Sequence, residues 1–190
     1  MITQEERQLQ LESFVQTRYK AITRNGSTYV QTYQWAKQGI ERVLLVLREH
    51  SKQDQSARLM RDEIDFHLKR CHDYCIKERI GAHYKEVGRR RKDCDFEHVI
   101  PKAVVRELLI YDKISIDEAL NIPTCLLGSE NHTIINKVNV SSTPDIVDFW
   151  RRYRETLPDI KIETYNGLQV DLNNWNFWTH YHFFRDYTNL

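Results

Sequence analysis

Asp95-Phe-Glu-His-Val-Ile-Pro101 is the stretch from which the rest of this 190-residue chain is read. Phe96, Val99 and Ile100 make a short β-prone run, and Pro101, which has no N–H to give a ladder, ends it. Cys94 to Ile100 therefore reads as a strand that carries an acidic and an imidazole side chain side by side, Glu97 and His98. Lys102 to Asp112 follows as a helix with Val104, Val105, Leu108 and Leu109 on its apolar side. Ser115-Ile-Asp-Glu118 has the spacing of a capping box, opening a short helix that ends near Leu120, just before Asn121. Thr124 to Leu127 is a second short strand. Ser129-Glu-Asn-His132 then starts a helix, with Ser129 as N-cap and His132 at the third helical position.

Outward from this region, the first eighty residues are helical in pattern. Leu9, Leu11, Phe14, Val15, Tyr19 and Ile22 recur at helical spacing, and Arg24-Asn-Gly-Ser27 breaks the pattern. A second helix from about Tyr29 to His50 turns Trp35, Ile40, Val43, Leu44 and Leu47 to a core. A third, from about Gln53 to Ile80, carries Leu59, Met60, Ile64, Phe66, Leu68, Cys71 and Cys75. Residues 81–93 read as a basic connector with two glycines. Beyond the central region, Pro144 opens a helix running to about Thr156. Ile160 to Tyr165 and Leu168 to Leu172 flank Asn166-Gly167 as a β-hairpin. The aromatic tail from Trp175 to Phe184 is helical in pattern, with Trp175, Phe177, Trp178 and Phe183 as core.

Composition restricts the function classes. Hydrophobic residues at 41% and charged residues at 29% are ordinary for a soluble globular protein. No apolar run approaches the roughly 18 residues of a membrane span. The polar, acidic start has no secretory pattern, so a cytoplasmic protein without a membrane partner is expected. A net charge of +1 gives no overall attraction to nucleic acid, but Lys85 to Lys92 is a dense basic run and Arg151, Arg152 and Arg154 form another. The cysteines are Cys71, Cys75, Cys94 and Cys125. A disulfide framework does not suit a cytosolic chain; the four are packing residues or, as the alternative, thiolates around one structural zinc. His67, His72 and His83 read as surface or packing residues, and His180 and His182 as interfacial.

The ordered set Glu97-His98, Asn121 and His132 resembles the ββα-metal, or His-Me finger, core of HNH nucleases. The resemblance covers roughly residues 94–137. Together with the patterns above, it gives an α+β, mainly helical fold: a helical scaffold or dimerisation region over 1–80, a connector and HNH-like catalytic unit over 81–140, and a C-terminal helix, hairpin and aromatic tail over 141–190. It implies a metal-dependent endonuclease acting on DNA, double-stranded above all, by a one-metal mechanism with Mg²⁺ or Mn²⁺. His98 would be the general base, Glu97 and His132 metal ligands, and Asn121 the residue that steadies the base through backbone contacts. Asn131 competes with His132 for the ligand role, and Asn136 comes third. The chain departs from the family in the long helical insertion between His98 and Asn121, in Ile122-Pro123 after that Asn, and in Asn131-His132 where zinc-containing members have Cys-His.

The chemistry agrees with the residue types. Phosphodiester hydrolysis needs an activated water, a counter-charge for the transition state and help for the leaving oxygen. An imidazole with a pKa of about 6.5 accepts a proton at neutral pH, and a mixed carboxylate and imidazole set suits a hard or borderline divalent ion. Arg89, Arg90, Arg91 and Lys92 are the candidates for phosphate contact. A homodimer through the N-terminal helices would suit a symmetric duplex. Two other readings stay open: a nucleic-acid-binding protein that keeps the HNH shape without turnover, and a helical structural protein in which the motif is coincidental.

Overall fold

The computed structural model describes residues 29–49, 55–73, 81–137 and 146–184. The expected first helix around Leu9 to Ile22, together with Cys75 and Pro144, lies outside the described residues. Within them the chain is α+β, with helices around a four-stranded sheet.

Helices α1 (Tyr29–Glu49) and α2 (Gln55–Cys71) pack on each other. The buried stripe of α1 is Tyr33, Ala36, Ile40, Leu44 and Leu47, at the three- and four-residue steps that keep side chains on one face. That of α2 is Ala57, Ile64, Leu68 and Cys71. Gly39 makes the close approach: a Cβ there would lie 2.1 Å from Cε1 of His67. Trp35, Leu59 and Phe66, expected to point inward, face outward at 45%, 70% and 47% exposure. The small alanines take the contact line, and the bulky residues flank it. Trp35 and Phe66 meet edge to face with ring centroids 5.9 Å apart, which shields part of their surface.

The sheet contains β1 (Tyr84–Glu86), β2 (Cys94–His98), β3 (Thr124–Gly128) and β4 (Ile162–Thr164), in the order β2-β3-β1-β4. β1 and β3 run parallel, and the outer pairs are antiparallel. The connector expected over 81–93 therefore contains an inner strand. Its charged letters hide the reason. Tyr84 and Glu86 are buried, and the Glu86 carboxylate accepts from the Gly128 N–H (2.9 Å), Arg89 Nε (2.8 Å) and Asn131 Nδ2 (3.0 Å). Burial alone would push the Glu86 carboxyl up, but these donors outweigh it and hold the group below its ordinary range. Lys85 faces Glu163 across the β1–β4 pair, with Nζ 3.0 Å from Oε1.

Between β2 and β3 lie α3 (Lys102–Ile110) and α4 (Ile116–Leu120). α3 buries Val105, Leu109 and Ile110. The capping box of α4 forms: Ser115 Oγ accepts from the Glu118 N–H, and the Ser115 N–H donates to Glu118 Oε2 at 2.6 Å. α5 (Ser129–Lys137) starts directly after β3. Ser129 is its first helical residue and not a cap outside it; its hydroxyl donates to the Asp93 carbonyl.

α6 (Arg151–Thr156) begins later than Pro144 would have it, because residues 146–150 form turns. The Asn166-Gly167 turn exists, with Gly167 at φ +92° where a side chain would be strained. Its second arm is a single bridge, Glu163 to Gln169, and not a strand. α7 (Phe177–Phe184) buries Phe177, Phe183 and Phe184 and leaves Trp178 exposed. No helix among the described residues is long and apolar enough to cross a membrane.

Candidate active site

β2 is an edge strand, and its alternation divides the site. Asp95 and Glu97 point to the face covered by α5; Phe96 and His98 point to the other, their rings 5.2 Å apart. On the α5 face, His132 Nε2 lies 3.0 Å from Glu97 Oε2, and its Nδ1 lies 3.6 Å from Asp95 Oδ2. Asn136, one turn on, brings Nδ2 to 3.0 Å from the same Nε2. Asn131 turns away to Glu86. Of the three candidate ligands on α5, His132 is thus the one paired with Glu97.

Glu97 is buried, and its other carboxylate oxygen accepts from Arg152 Nη2. Arg152 is buried too, which a charge run does not suggest. A guanidinium supplies a fixed positive charge and a planar donor, so Arg152 compensates the charge of Glu97 and sets the plane of its carboxylate. This residue was missed as a site residue. The only sequence signal is its place between the bulky residues Trp150 and Tyr153, both buried.

On the opposite face, His98 Nε2 meets Nδ1 of the fully buried His72 at 3.1 Å. The structure therefore brings Glu97 and His132 together and sets His98 on the other flank of the same edge strand.

Asn121 is buried at the C-terminus of α4 and is held twice. The Thr124 N–H donates to His83 Nδ1, so His83 carries its hydrogen on Nε2, which donates to Asn121 Oδ1 at 3.3 Å. Trp175 Nε1 donates to the Tyr84 hydroxyl at 2.7 Å, that hydroxyl donates to His180 Nδ1 at 2.7 Å, and His180 Nε2 donates to the Asn121 carbonyl. His180, expected at an interface, is an internal strut. Burial pushes its pKa down to about 3, with the Asn121 carbonyl opposing that shift. These contacts fix the turn that leads into β3.

Residues 89–92 of the basic run lie on the surface. Arg89 pairs with Glu86 and Glu130, and Arg90 with Asp93 at 2.7 Å. Arg91 and Lys92 are exposed. Among the described cysteines, Cys94 stands opposite Gly128 and Cys125 opposite Glu97 on paired strands, while Cys71 is on α2. Burial raises the Cys125 thiol well above its ordinary range. Among the described residues, no three His, Cys, Asp or Glu side chains form a group able to hold a metal ion.

No protein-family model, curated protein or solved structure matches the chain.

Proposed function

We propose that the chain is a metal-dependent endonuclease that hydrolyses phosphodiester bonds, in double-stranded DNA above all, on an HNH-like ββα unit made of β2, β3 and α5. The observation that carries this reading is the meeting of Glu97 Oε2 and His132 Nε2 at 3.0 Å across 35 residues of sequence. Glu97 and His132 would supply two neighbouring donors, a carboxylate and an imidazole, to an Mg²⁺ or Mn²⁺ ion. Two protein ligands suffice for such an ion, because water and substrate phosphate oxygens fill the remaining positions. When bound, the ion supplies charge that polarises the phosphate and stabilises the leaving 3′ oxygen.

The chain's own residues do the rest. Arg152 keeps one oxygen of Glu97 engaged and so presents the other to His132. His98 is the general base: it takes a proton from the attacking water as the water oxygen bonds to phosphorus and the bond to the leaving oxygen breaks. Among the described residues no strand pairs with the outer side of β2, so a backbone laid along that edge would meet Glu97 from one flank and His98 from the other. Arg91 and Lys92, just before β2, add phosphate contacts without sequence choice. The exposed Trp35–Phe66 face of α1 and α2 is the surface on which a symmetric dimer would form.

One observation favours a second reading. His98 faces His72 and not the Glu97–His132 side, as a binding protein without turnover would tolerate. Incubating the native chain with supercoiled plasmid in Mg²⁺, Mn²⁺ or EDTA separates the two. Metal-dependent nicking or linearisation supports the nuclease. Salt-sensitive retention of DNA with no scission, of plasmid, single strands or RNA, supports the binding protein.

A further inference from the structure

We infer that a cleft beside the candidate site takes an unpaired nucleobase of the substrate strand, next to the scissile phosphate, and that it selects bases carrying an exocyclic amino group. This inference rests on the nuclease reading for its placement and deepens it by naming what the strand presents. The cleft is a cavity of about 400 Å³ between the end of β1, the first turn of α5 and the segment 157–161 that joins α6 to β4. That volume is in the range of small-ligand sites. Cleft and candidate site share α5: Asn131 lines the cleft, and His132, the next residue, pairs with Glu97. β1 and β2 flank β3, so Glu86 and Glu97 stand on strands about 10 Å apart, within reach of neighbouring nucleotides. A second cavity of about 640 Å³ shares Pro158, Ile160 and Lys161 with the first and gives the strand room to continue. In a duplex the base must leave the stack, which costs least where it is already mismatched or unpaired.

The lining decides what fits. Val87 and Ile160 give it apolar surface, which suits the faces of a planar base. Its polar centre is the Glu86 carboxylate. Glu86 is buried, yet its side chain keeps 10% of its surface open. The Gly128 N–H, Arg89 Nε and Asn131 Nδ2 fill three of its acceptor positions, out of about four that a carboxylate has. The remaining position accepts one further N–H. Asn131, whose Nδ2 is given to Glu86, adds a carbonyl oxygen to the lining, and Asp159 adds a second carboxylate. Acceptors of this kind suit the amino group of cytosine or adenine and repel the O4 of thymine. A phosphate in the cleft would meet two carboxylates, so the base and not the backbone enters it. Lys161, exposed and common to both cavities, takes the phosphate.

The test is binding by the native chain in EDTA, where no strand is cut. Fluorescence anisotropy at pH 8 with labelled oligo-dC and oligo-dT of equal length compares an amino base with a keto base on the same backbone. Oligo-dC should bind about 10-fold tighter, the worth of one well-placed base contact. Val87→Trp fills the cleft from an exposed position and should bring oligo-dC down to the affinity of oligo-dT. If Val87→Trp fails to fold, Asp159→Trp, also at an exposed position of the lining, is expected to do the same. Equal affinity of the native chain for the two strands, binding of neither, or a preference that survives filling of the cleft overturns the proposal. A native chain that prefers oligo-dC but cleaves no plasmid keeps the cleft and refutes the nuclease. One that cleaves plasmid and binds both strands equally refutes the cleft alone.

Discussion

Arg152 on α6 and Glu97 on β2, 55 residues apart, form an ion pair in which both side chains are buried. Removing one partner of such a pair leaves an uncompensated charge inside the protein, at a cost of about 3–5 kcal/mol. Arg152→Met should therefore lower stability by that order in urea unfolding. Arg152→Met combined with Glu97→Leu should recover much of the loss, because the orphaned charge is then gone. A double variant less stable than Arg152→Met would show that the pair is not the source of the effect.

The buried histidines make stability fall in acid. The pKa values of His72 and His180 are each pushed down to about 3, first by burial, from an unfolded value near 6.5. Between these limits the unfolded chain binds protons that the folded chain does not. Stability is therefore fully present above pH 6.5 and is lost as pH falls from there toward 3, by about 1.4 kcal/mol per pH unit for each histidine. Urea midpoints should drop between pH 7 and pH 5, and His180→Gln should flatten the slope. A midpoint constant over that range would contradict the neutral, buried assignment.

At Gly39 the limit is steric. A methyl group would stand 2.1 Å from the His67 ring, so Gly39→Ala should destabilise the contact of α1 and α2 by about 1–3 kcal/mol. Gly39→Ala in a His67→Ala background should cost much less, which a double-mutant cycle measures. Equal costs in both backgrounds would mean that the helices are held apart by something else.

Much of the central region was legible because its signals are local. Pro101 ends a run just beyond β2, Ser115 and Glu118 cap α4, and the glycine and serine at the junction of β3 and α5 mark a change of period. Glu97 and His132 could be paired from order alone. What stayed hidden depends on partners distant in sequence. β1 reads as charged connector because the donors that satisfy Glu86 come from Gly128 and Asn131 on the far side of the motif. His180 reads as interfacial until Tyr84 and Asn121 are seen at its two nitrogens. Arg152 lies in a charge run, and only the burial of Glu97 reveals its role. Trp35 and Phe66 were assigned inward by helical spacing, whereas the helix contact selects Ala36, Ala57 and Gly39 for closeness.

The face on which His98 lies is the point where order in sequence and position in space part, so it is also where the account is most exposed. The rate of plasmid nicking in Mg²⁺ by the native chain and by His98→Ala, at equal folded concentration, tests it most directly. Loss of a general base should slow the reaction by about 100-fold or more while DNA retention is unchanged. Cleavage by His98→Ala at the native rate would contradict the assignment and place the chemistry elsewhere on the molecule.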